Sequence, residues 1–364
     1  MTRLRATDGI AATDLAPRWL APSLRLNEGR DPLGLQTTTQ DRLMPLLLPG
    51  LLELSRRARY FSFHAYLLDE YRRRSFPADA RSVSDFIRQR EWEYGLAVQR
   101  CPRGCDSSPV GARKLGALAC ESGPLPRGES VDTTLGGYGL YYRSPLVDFG
   151  VVARSGTLLG DHPIPIDVLR DTHRAADLAQ AFRDAVQDTA YHQEWMVTDK
   201  PLPVEVITEL AEVACLCGLD RRPEERAAIH AAIFGTDSVA EPGSEPAQSP
   251  PEAVLQRRRS VAHYLSIVRE HPSVVSSEAD YRQALWSAVD VAGEDHRLVA
   301  GQWAALVAKD VWQEALCSIW TEFCHRGLAK TRAVSRGLTW QETKDMTEAM
   351  VFGPPQLVES LIVV

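Results

Sequence analysis

The feature that most constrains the fold of this chain is the sequence PGLLELSRRARYFSFHAYLLDEYRRR at residues 49–74. Pro49 and Gly50 end the segment before it, and about six turns of unbroken helical pattern follow. Apolar side chains occupy nearly every direction around this helix, whereas a surface helix carries a single apolar stripe. The pattern therefore predicts a buried core helix with arginines at both ends, of which the C-terminal group suits the negative end of the helix dipole.

Length and composition are those of a globular protein with two or three domains, at 364 residues, 44% hydrophobic and 24% charged. The net charge of −7 argues against a protein that coats nucleic acid, but it permits a local basic surface. The N-terminus lacks the apolar run of a signal peptide, and no segment is long and apolar enough to be a transmembrane helix. We therefore expect a cytoplasmic protein without a membrane contact, in which the seven cysteines are reduced thiols.

The order of the patterns predicts a mainly α protein. Residues 1–35 are interpreted as an extended arm, and residues 36–235 as a multi-helix domain. Residues 101–136, rich in Gly, Pro, Ser and Cys, form a loop insertion in that domain. Residues 236–251 hold four prolines and no aromatic residue, which is typical of a linker. Residues 252–364 are predicted to form a C-terminal helical bundle, whose apolar end either docks or marks a truncated chain.

Within the first domain, residues 137–188 have the order of elements found around the wing of winged helix-turn-helix proteins. A short helix ends at Gly150, strands are expected at 151–152 and 164–166, and an amphipathic helix follows at 172–187. Prolines beside the second strand restrict it to a sheet edge. In this interpretation four arginines contact phosphates: Arg143, Arg154, Arg170 and Arg174.

Cys101, Cys105 and Cys120 are the best metal candidates in the sequence. Zinc needs thiolates or imidazoles brought together by short spacings, and Cys-Pro-Arg-Gly-Cys can form such a turn. No fourth ligand lies nearby, since His162 is the nearest imidazole downstream. The competing interpretation is that these cysteines lie in a surface loop.

The other candidates for metal-binding or catalytic residues are weaker. Cys215 and Cys217 fall in a predicted helix over 203–217, where small core residues are expected. His64 lies inside the aromatic helix and is expected to be a packed histidine. The chain has no G-x-S-x-G nucleophile elbow, no Walker A sequence and no complete dinucleotide-binding turn. The motifs therefore favour a protein that is not an enzyme, without deciding the matter.

A local basic surface is the remaining candidate for binding. Residues 50–114 hold thirteen Lys or Arg against eight Asp or Glu, with aromatic residues between them. Such a mixture can contact phosphates and stack on bases. Five arginines at the ends of the core helix are the candidates: Arg56, Arg57, Arg72, Arg73 and Arg74. The alternative is that they are solvated helix ends or pair with nearby carboxylates.

The stretches LLPGLLELSRRARYFSFHAYLLDEYRRR and DFIRQREWEYGLA resemble a little-characterised bacterial helical family. In that family a Leu-Pro-Gly turn precedes an R-A-R-Y-x-S-F helix, and an F-x-R-x-R-E helix follows. The later YRQALW and W-x(8)-W-Q-E-A-L segments are similar in placement. The resemblance implies a gene neighbourhood of phage defence or mobile elements, beside ATPases, helicases or nucleases. It carries over no catalytic residue.

Three functional hypotheses follow. The leading one is a non-enzymatic helical adaptor of a bacterial multi-protein complex in anti-phage defence, which binds a protein partner, with DNA as a further candidate ligand. The second is a nucleic-acid-binding protein of the winged-helix type. The third is a zinc-dependent enzyme built on the cysteines of the loop insertion.

Overall fold

The structure, a computed structural model, describes residues 38–52, 54–118, 120–159, 161–235, 252–334 and 338–351. They belong to two compact units, one of residues 44–303 and one that combines the described parts of 1–43 and 304–364. The predicted arm at 1–35, the linker at 236–251 and the apolar C-terminal end lie outside the described residues. Residues 252–303 belong to the same unit as the helices before the linker, and the two units divide inside a long helix.

The larger unit is mainly helical. Its helices are α1 (Met44–Leu47), α2 (Arg59–Arg73), α3 (Ala80–Gln99), α4 (Ala112–Leu115), α5 (Arg143–Asp148), α6 (His173–Val186), α7 (Ala190–Gln193), α8 (Val204–Ala214), α9 (Pro223–Phe234), α10 (Glu252–Glu270) and α11 (Glu278–Val291). The long helix α12 (Glu294–Val334) begins in this unit and continues into the other one, which also holds α13 (Trp340–Val351). The strands of the larger unit are β1 (Val152–Ala153), β2 (Leu158–Leu159), β3 (His162–Pro163) and β4 (Val168–Leu169). The predicted mainly α fold with a small β-hairpin is confirmed.

Helix α2 is the buried core helix that the sequence predicts, since all its residues from Arg59 to Tyr71 are buried. It begins about eight residues later than the pattern suggests, since the pattern starts after Gly50. Gly50 has a φ of +77°, and a Cβ there would lie 2.6 Å from the Cβ of Asp148. The chain therefore turns against the end of α5 at this point, and the described residues between 51 and 58 are not helical.

Aromatic side chains surround α2 because helices cover it on several sides, principally α6, α9 and α3. The ring of Phe63 stacks on Tyr94 of α3 at 4.2 Å between centroids and meets Phe182 of α6 edge-on at 5.4 Å. On another side Tyr60 stacks on Tyr142 at 5.1 Å. Burying each such ring stabilises the fold by about 1.5–3 kcal/mol, which explains why this helix is apolar almost all round.

Helix α3 begins at Ala80, before the serines at 82 and 84. Its N-cap is Asp79, whose carboxylate accepts hydrogen bonds from the backbone N–H groups of Arg81 and Ser82 at 3.0 and 2.9 Å. An aspartate satisfies two of the open N–H groups of a first turn, so it outcompetes a serine further along the chain. Ser84 is buried instead and donates to the Thr134 carbonyl.

The segment after α5 forms the small hairpin. Gly150 has a φ of +74° just beyond the helix, as the sequence predicts for a left-handed C′ position. Strand β1 pairs antiparallel with β4, with Val152 opposite Leu169, whereas residues 164–166 were expected to supply the return strand. The shorter β2–β3 pair lies between them in sequence. Thr172 then caps α6 by accepting from the Ala175 N–H at 3.3 Å.

The described residues beyond 252 are mainly helical, as the sequence predicts. Helix α12 continues through Gly327 to Val334, since a helix tolerates an interior glycine at a cost of about 1 kcal/mol. A capping box opens α13: Thr339 Oγ1 accepts from the Glu342 N–H, and the Glu342 carboxylate accepts from the Thr339 N–H. None of the described helices combines the length and apolar character that crossing a membrane requires.

A buried carboxylate, Asp167, anchors the hairpin to the helical core. It accepts two hydrogen bonds from the Arg143 guanidinium at 2.6 Å, one from the Tyr138 hydroxyl at 2.7 Å and one from the Ser155 N–H at 2.8 Å. Burial by itself raises the pKa of Asp167, but the bonds from Arg143, Ser155 and Tyr138 outweigh it and hold that pKa below the ordinary 3.8. The ionised form is therefore the one that the fold stabilises.

We expect Asp167→Asn to lower the free energy of unfolding at pH 7 by about 1.5–3 kcal/mol, because it breaks a charged pair that links the hairpin to residues 138–143. A depressed carboxyl pKa stabilises the folded state at higher pH, and this contribution is lost as pH falls through the folded-state value. The difference between wild type and variant should therefore shrink below about pH 4.

Urea unfolding followed by circular dichroism across this pH range measures the effect. Asp85→Asn is the matched control, because the Asp85 side chain is 60% exposed and lies 3.8 Å from Arg81. A difference between wild type and Asp167→Asn that did not change with pH would contradict the assignment.

Candidate metal centre

Four cysteines from two distant parts of the chain meet within the larger unit. Cys101 and Cys105 follow α3, and Cys215 and Cys217 follow α8. Their four Sγ atoms all lie within 4.8 Å of one another. Cys215 is buried, while the other three are half-buried. Four cysteine sulfurs grouped in this way are a typical ligand set for a metal ion.

Two tight turns direct the sulfurs to the same point. After α3, the Cys101 N–H donates to the Val98 carbonyl at 3.2 Å, and Gly104 at a φ of +57° returns its N–H to the Cys101 carbonyl at 3.0 Å. A residue other than glycine is strained at such a φ. After α8, Gly218 closes a second turn by donating to the Cys215 carbonyl at 2.8 Å. Each turn brings its two thiols to one side of the chain.

The sulfur–sulfur distances distinguish a metal site from a disulfide. Cys101 lies 3.6 Å from Cys217, Cys105 lies 3.5 Å from Cys215, and Cys215 lies 3.6 Å from Cys217. A disulfide requires about 2.05 Å between sulfurs. Four thiolates bound tetrahedrally at about 2.3 Å from one zinc ion lie about 3.8 Å apart. The distances between these cysteines therefore fit a single tetrahedral ion.

Polar hydrogens point at the sulfurs, as expected where thiolates are held. The backbone N–H groups of Arg103 and Cys105 donate to Cys101, and that of Ser107 donates to Cys105. The Arg103 side chain adds a hydrogen bond from Nε to the Sγ of Cys217 at 3.2 Å, and its Nη1 donates to the Glu212 carbonyl at 3.1 Å. These donors would offset the negative charge that four thiolates bring.

The thiols differ in their proton affinity. Burial raises the pKa of Cys105, but hydrogen bonds from the Ser107 hydroxyl and N–H and from neighbouring cysteines bring it down to about 6. Burial instead dominates at Cys215 and raises its pKa above that of an ordinary thiol. A divalent cation would displace the remaining protons, because metal binding requires every ligand to be a thiolate.

The structure changes the predicted ligand set. It brings Cys101 and Cys105 together, but Cys120 is exposed and lies outside the cluster. Cys215 and Cys217, expected as small core residues of a helix, supply the missing ligands. Helix α8 ends at Ala214, so both cysteines lie beyond it, and the buried Cys215 directs its sulfur towards the other three.

Arg59, the first residue of α2, holds the second cysteine pair in place. Its guanidinium donates to the carbonyls of Cys215 at 2.5 Å and Val213 at 3.0 Å. It also binds both carboxylate oxygens of Glu225 on α9 at 3.0 and 2.9 Å, and both side chains are 1% exposed. Nearby, the Tyr94 hydroxyl donates to the Ala214 carbonyl at 3.0 Å. The sequence pattern did not reveal this role, because Val213, Cys215 and Glu225 are all more than 150 residues from Arg59.

Several arginines predicted to contact nucleic acid take part in internal contacts. Arg143 binds Asp167, and Arg74 donates to Glu70 at 2.8 Å and to the His192 carbonyl at 2.9 Å. These two are poor candidates for phosphate contacts. Of the others, five are exposed and two are half-buried: Arg56, Arg72, Arg73, Arg154 and Arg170, then Arg57 and Arg174.

Four of the predicted arginines line two adjoining clefts at the N-terminus of α6. Arg72, Arg73 and Arg170 border a cleft of about 270 Å³, and Arg174 borders another of about 390 Å³. Thr172 and Asp177 line both clefts, and further carboxylates border the smaller one: Asp69 and Asp171. The structure thus brings together residues from the core helix and from the hairpin segment.

The backbone at Gly137 and Tyr138 holds an internal carboxylate. Glu91 accepts hydrogen bonds from the N–H groups of Gly137 at 2.7 Å and Tyr138 at 2.5 Å. It lies 3.5 Å from the ring of His64, which is buried as expected and whose pKa burial lowers to about 3. Burial raises the pKa of Glu91 to about 8, so both side chains are uncharged at neutral pH.

Comparisons with protein-family models, with curated proteins and with solved structures give no match for this chain. What the site can do therefore rests on its own geometry.

We expect Arg59→Met to lower the free energy of unfolding by about 3–5 kcal/mol, because it leaves the Glu225 carboxylate buried without a charged partner. Arg72→Met, near the other end of the same helix, is the control. Its side chain is 69% exposed and pairs with Asp69, so the loss should stay below about 1 kcal/mol.

Urea unfolding at pH 7 measures both variants. The double variant Arg59→Met/Glu225→Leu should regain part of the loss, since no unpaired charge then remains buried. Equal losses for Arg59→Met and Arg72→Met would contradict the role given to Arg59.

Proposed function

We propose that this chain is a non-catalytic binding protein whose larger unit is held together by a structural zinc ion at Cys101, Cys105, Cys215 and Cys217. The observation that carries the proposal is the convergence of four sulfurs within 4.8 Å of one another. Tetrahedral sites with four cysteine ligands are typical of structural zinc. The ion would join the end of α3 to the end of α8.

The donor set favours a structural role over catalysis. A catalytic zinc keeps three protein ligands and leaves its fourth position to water or substrate. Four cysteines fill all four positions and leave none for a reaction. This geometry argues against the zinc-dependent enzyme that the loop cysteines suggested as an alternative.

We propose that the chain binds another protein, as an adaptor in a bacterial anti-phage complex with an ATPase, helicase or nuclease. The family resemblance supports the setting, and exposed tryptophans support the activity. Trp312 and Trp320 of α12 are 60% and 64% exposed. Tryptophan is enriched in protein interfaces and at their energetic centres. A cytoplasmic location fits four reduced thiols that hold a metal.

We expect the purified protein to contain one zinc ion per chain by elemental analysis. Removing the zinc with a chelator should lower the free energy of unfolding by several kcal/mol. Each kcal/mol corresponds to about 2–4 °C in Tm for a domain of 150–250 residues. Cys217→Ser should lose the metal, and Cys120→Ser, exposed and outside the cluster, should keep it.

Two results would overturn this proposal. One is a protein without stoichiometric zinc whose Tm is unchanged by chelators. The other is hydrolysis of ATP or cleavage of DNA by the purified chain that Cys217→Ser abolishes, since that result would exclude a contaminant and make the chain an enzyme.

A second candidate function is the binding of single-stranded nucleic acid at the two clefts beside α6. The observation that favours it is the convergence of Arg72, Arg73 and Arg170 on one cleft. The N-terminus of α6 adds a partial positive charge there, which suits a phosphate. Carboxylates in the same clefts oppose it, so we rank this function second.

A labelled single-stranded oligonucleotide tests this function by fluorescence anisotropy at about 50 mM and about 200 mM salt. Three phosphate contacts should weaken binding about 18-fold between these concentrations. The variant Arg72→Ala/Arg73→Ala/Arg170→Ala should lose most of the binding. Arg81→Ala, whose side chain is 91% exposed on α3, is the control and should bind as wild type does. Binding that is absent or insensitive to salt would exclude this function.

A further inference from the structure

We infer that the four cysteines are also the oxidation site of this protein, where a peroxide converts the metal-bound thiolates into two disulfides, Cys101–Cys217 and Cys105–Cys215, and releases the metal. This inference rests on the zinc site proposed above and concerns its regulation. It predicts a particular pairing, which the geometry of the cluster sets.

The pairing follows from which sulfurs face each other. Cys101 lies 3.6 Å from Cys217, and Cys105 lies 3.5 Å from Cys215. Each cysteine of the first segment (residues 101–105) thus has a cysteine of the second segment (residues 215–217) within 3.6 Å, and these two pairs share no sulfur. These two pairs use all four sulfurs, and each sulfur has to approach its partner by only about 1.5 Å to reach the length of a disulfide.

Pairing within the second segment is disfavoured, although Cys215 and Cys217 are also 3.6 Å apart. Only one residue separates them, so a disulfide would close a small ring and strain the bond geometry. The cross-segment pairs avoid this strain, because their partners are 116 and 110 residues apart in sequence. They also connect the same two helix ends that the zinc ion would connect.

Access to the cluster comes from the side of the first segment. Cys101 and Cys105 are half-buried, and Arg103 between them is exposed. Cys217 is half-buried as well, whereas Cys215 is buried. A small oxidant such as hydrogen peroxide can therefore reach one member of each pair, with the facing sulfur in position to resolve the product.

The chemistry balances with two peroxide molecules per cluster. In each pair, one thiolate attacks a peroxide oxygen, the O–O bond breaks, and the departing hydroxide takes up a proton to become water. The sulfur is now a sulfenic acid. The facing thiolate attacks it, an S–S bond forms, and the second hydroxide leaves as water after protonation. Overall, four thiolates, two hydrogen peroxides and four protons give two disulfides and four waters, and the zinc ion is released as Zn²⁺.

The reduced and oxidised states would differ in metal content, but in both states the same two helix ends would be joined. In the reduced state the ion joins the end of α3 to the end of α8, and in the oxidised state two covalent bonds join them. Arg59 binds the Cys215 carbonyl, not its sulfur, so oxidation leaves that contact intact. The larger unit would thus remain folded through a cycle of oxidation and reduction.

The experiment treats the zinc-loaded full chain with stepwise additions of hydrogen peroxide. A chromogenic chelator measures released zinc, and peptide mapping by mass spectrometry without reduction identifies the disulfides. We expect one zinc released per two peroxides, with Cys101–Cys217 and Cys105–Cys215 as the products. Reduction with dithiothreitol and added zinc should restore the metal. Cys120→Ser should behave as wild type does.

Three results would overturn the inference: zinc that stays bound in about tenfold excess peroxide, sulfinic or sulfonic acids without disulfides, or disulfides within either segment. The variant Cys105→Ser/Cys215→Ser should form only Cys101–Cys217. If the purified protein holds no zinc, the proposed structural role fails. Mapping the reduced, metal-free chain after peroxide still tests the pairing on its own.

Discussion

The buried guanidinium of Arg59 is the interaction on which the rest of the larger unit depends. It joins the start of α2 to the end of α8 and to α9 through Val213, Cys215 and Glu225. Moving an ion pair out of water costs free energy. That cost is offset only when the N–H groups of the guanidinium also have hydrogen-bond acceptors. The position of the second cysteine pair is therefore tied to the core helix.

Other buried carboxylates organise the helices in the same manner. Arg183 of α6 binds both Asp69 and Glu70 of α2 at 2.6 and 2.8 Å, and Asp167 fixes the hairpin through Arg143. Many of the arginines between the aromatic residues therefore belong to the architecture of the protein. The basic composition of residues 50–114 overstates how much of that charge is available to a nucleic acid.

The metal centre lies where two local turns meet across a long separation in sequence. The first turn comes from the loop insertion after α3, which carries no regular structure around its cysteines, and the second comes from the end of α8. A metal ion or a pair of disulfides would supply there a connection that apolar packing provides elsewhere in the unit. Stability and redox sensitivity would then arise from the same four atoms.

The sequence by itself determined the features that depend on neighbours within a few residues. Local periodicity and turn chemistry account for the burial of α2, the capping box before α13, Gly150 after α5 and the Cys101/Cys105 spacing. Only the tertiary structure decided the complete ligand set, the pairing of Arg59 and the late start of α2 after Gly50. These depend on contacts between residues about 100 or more positions apart, and a local pattern carries no information about such contacts.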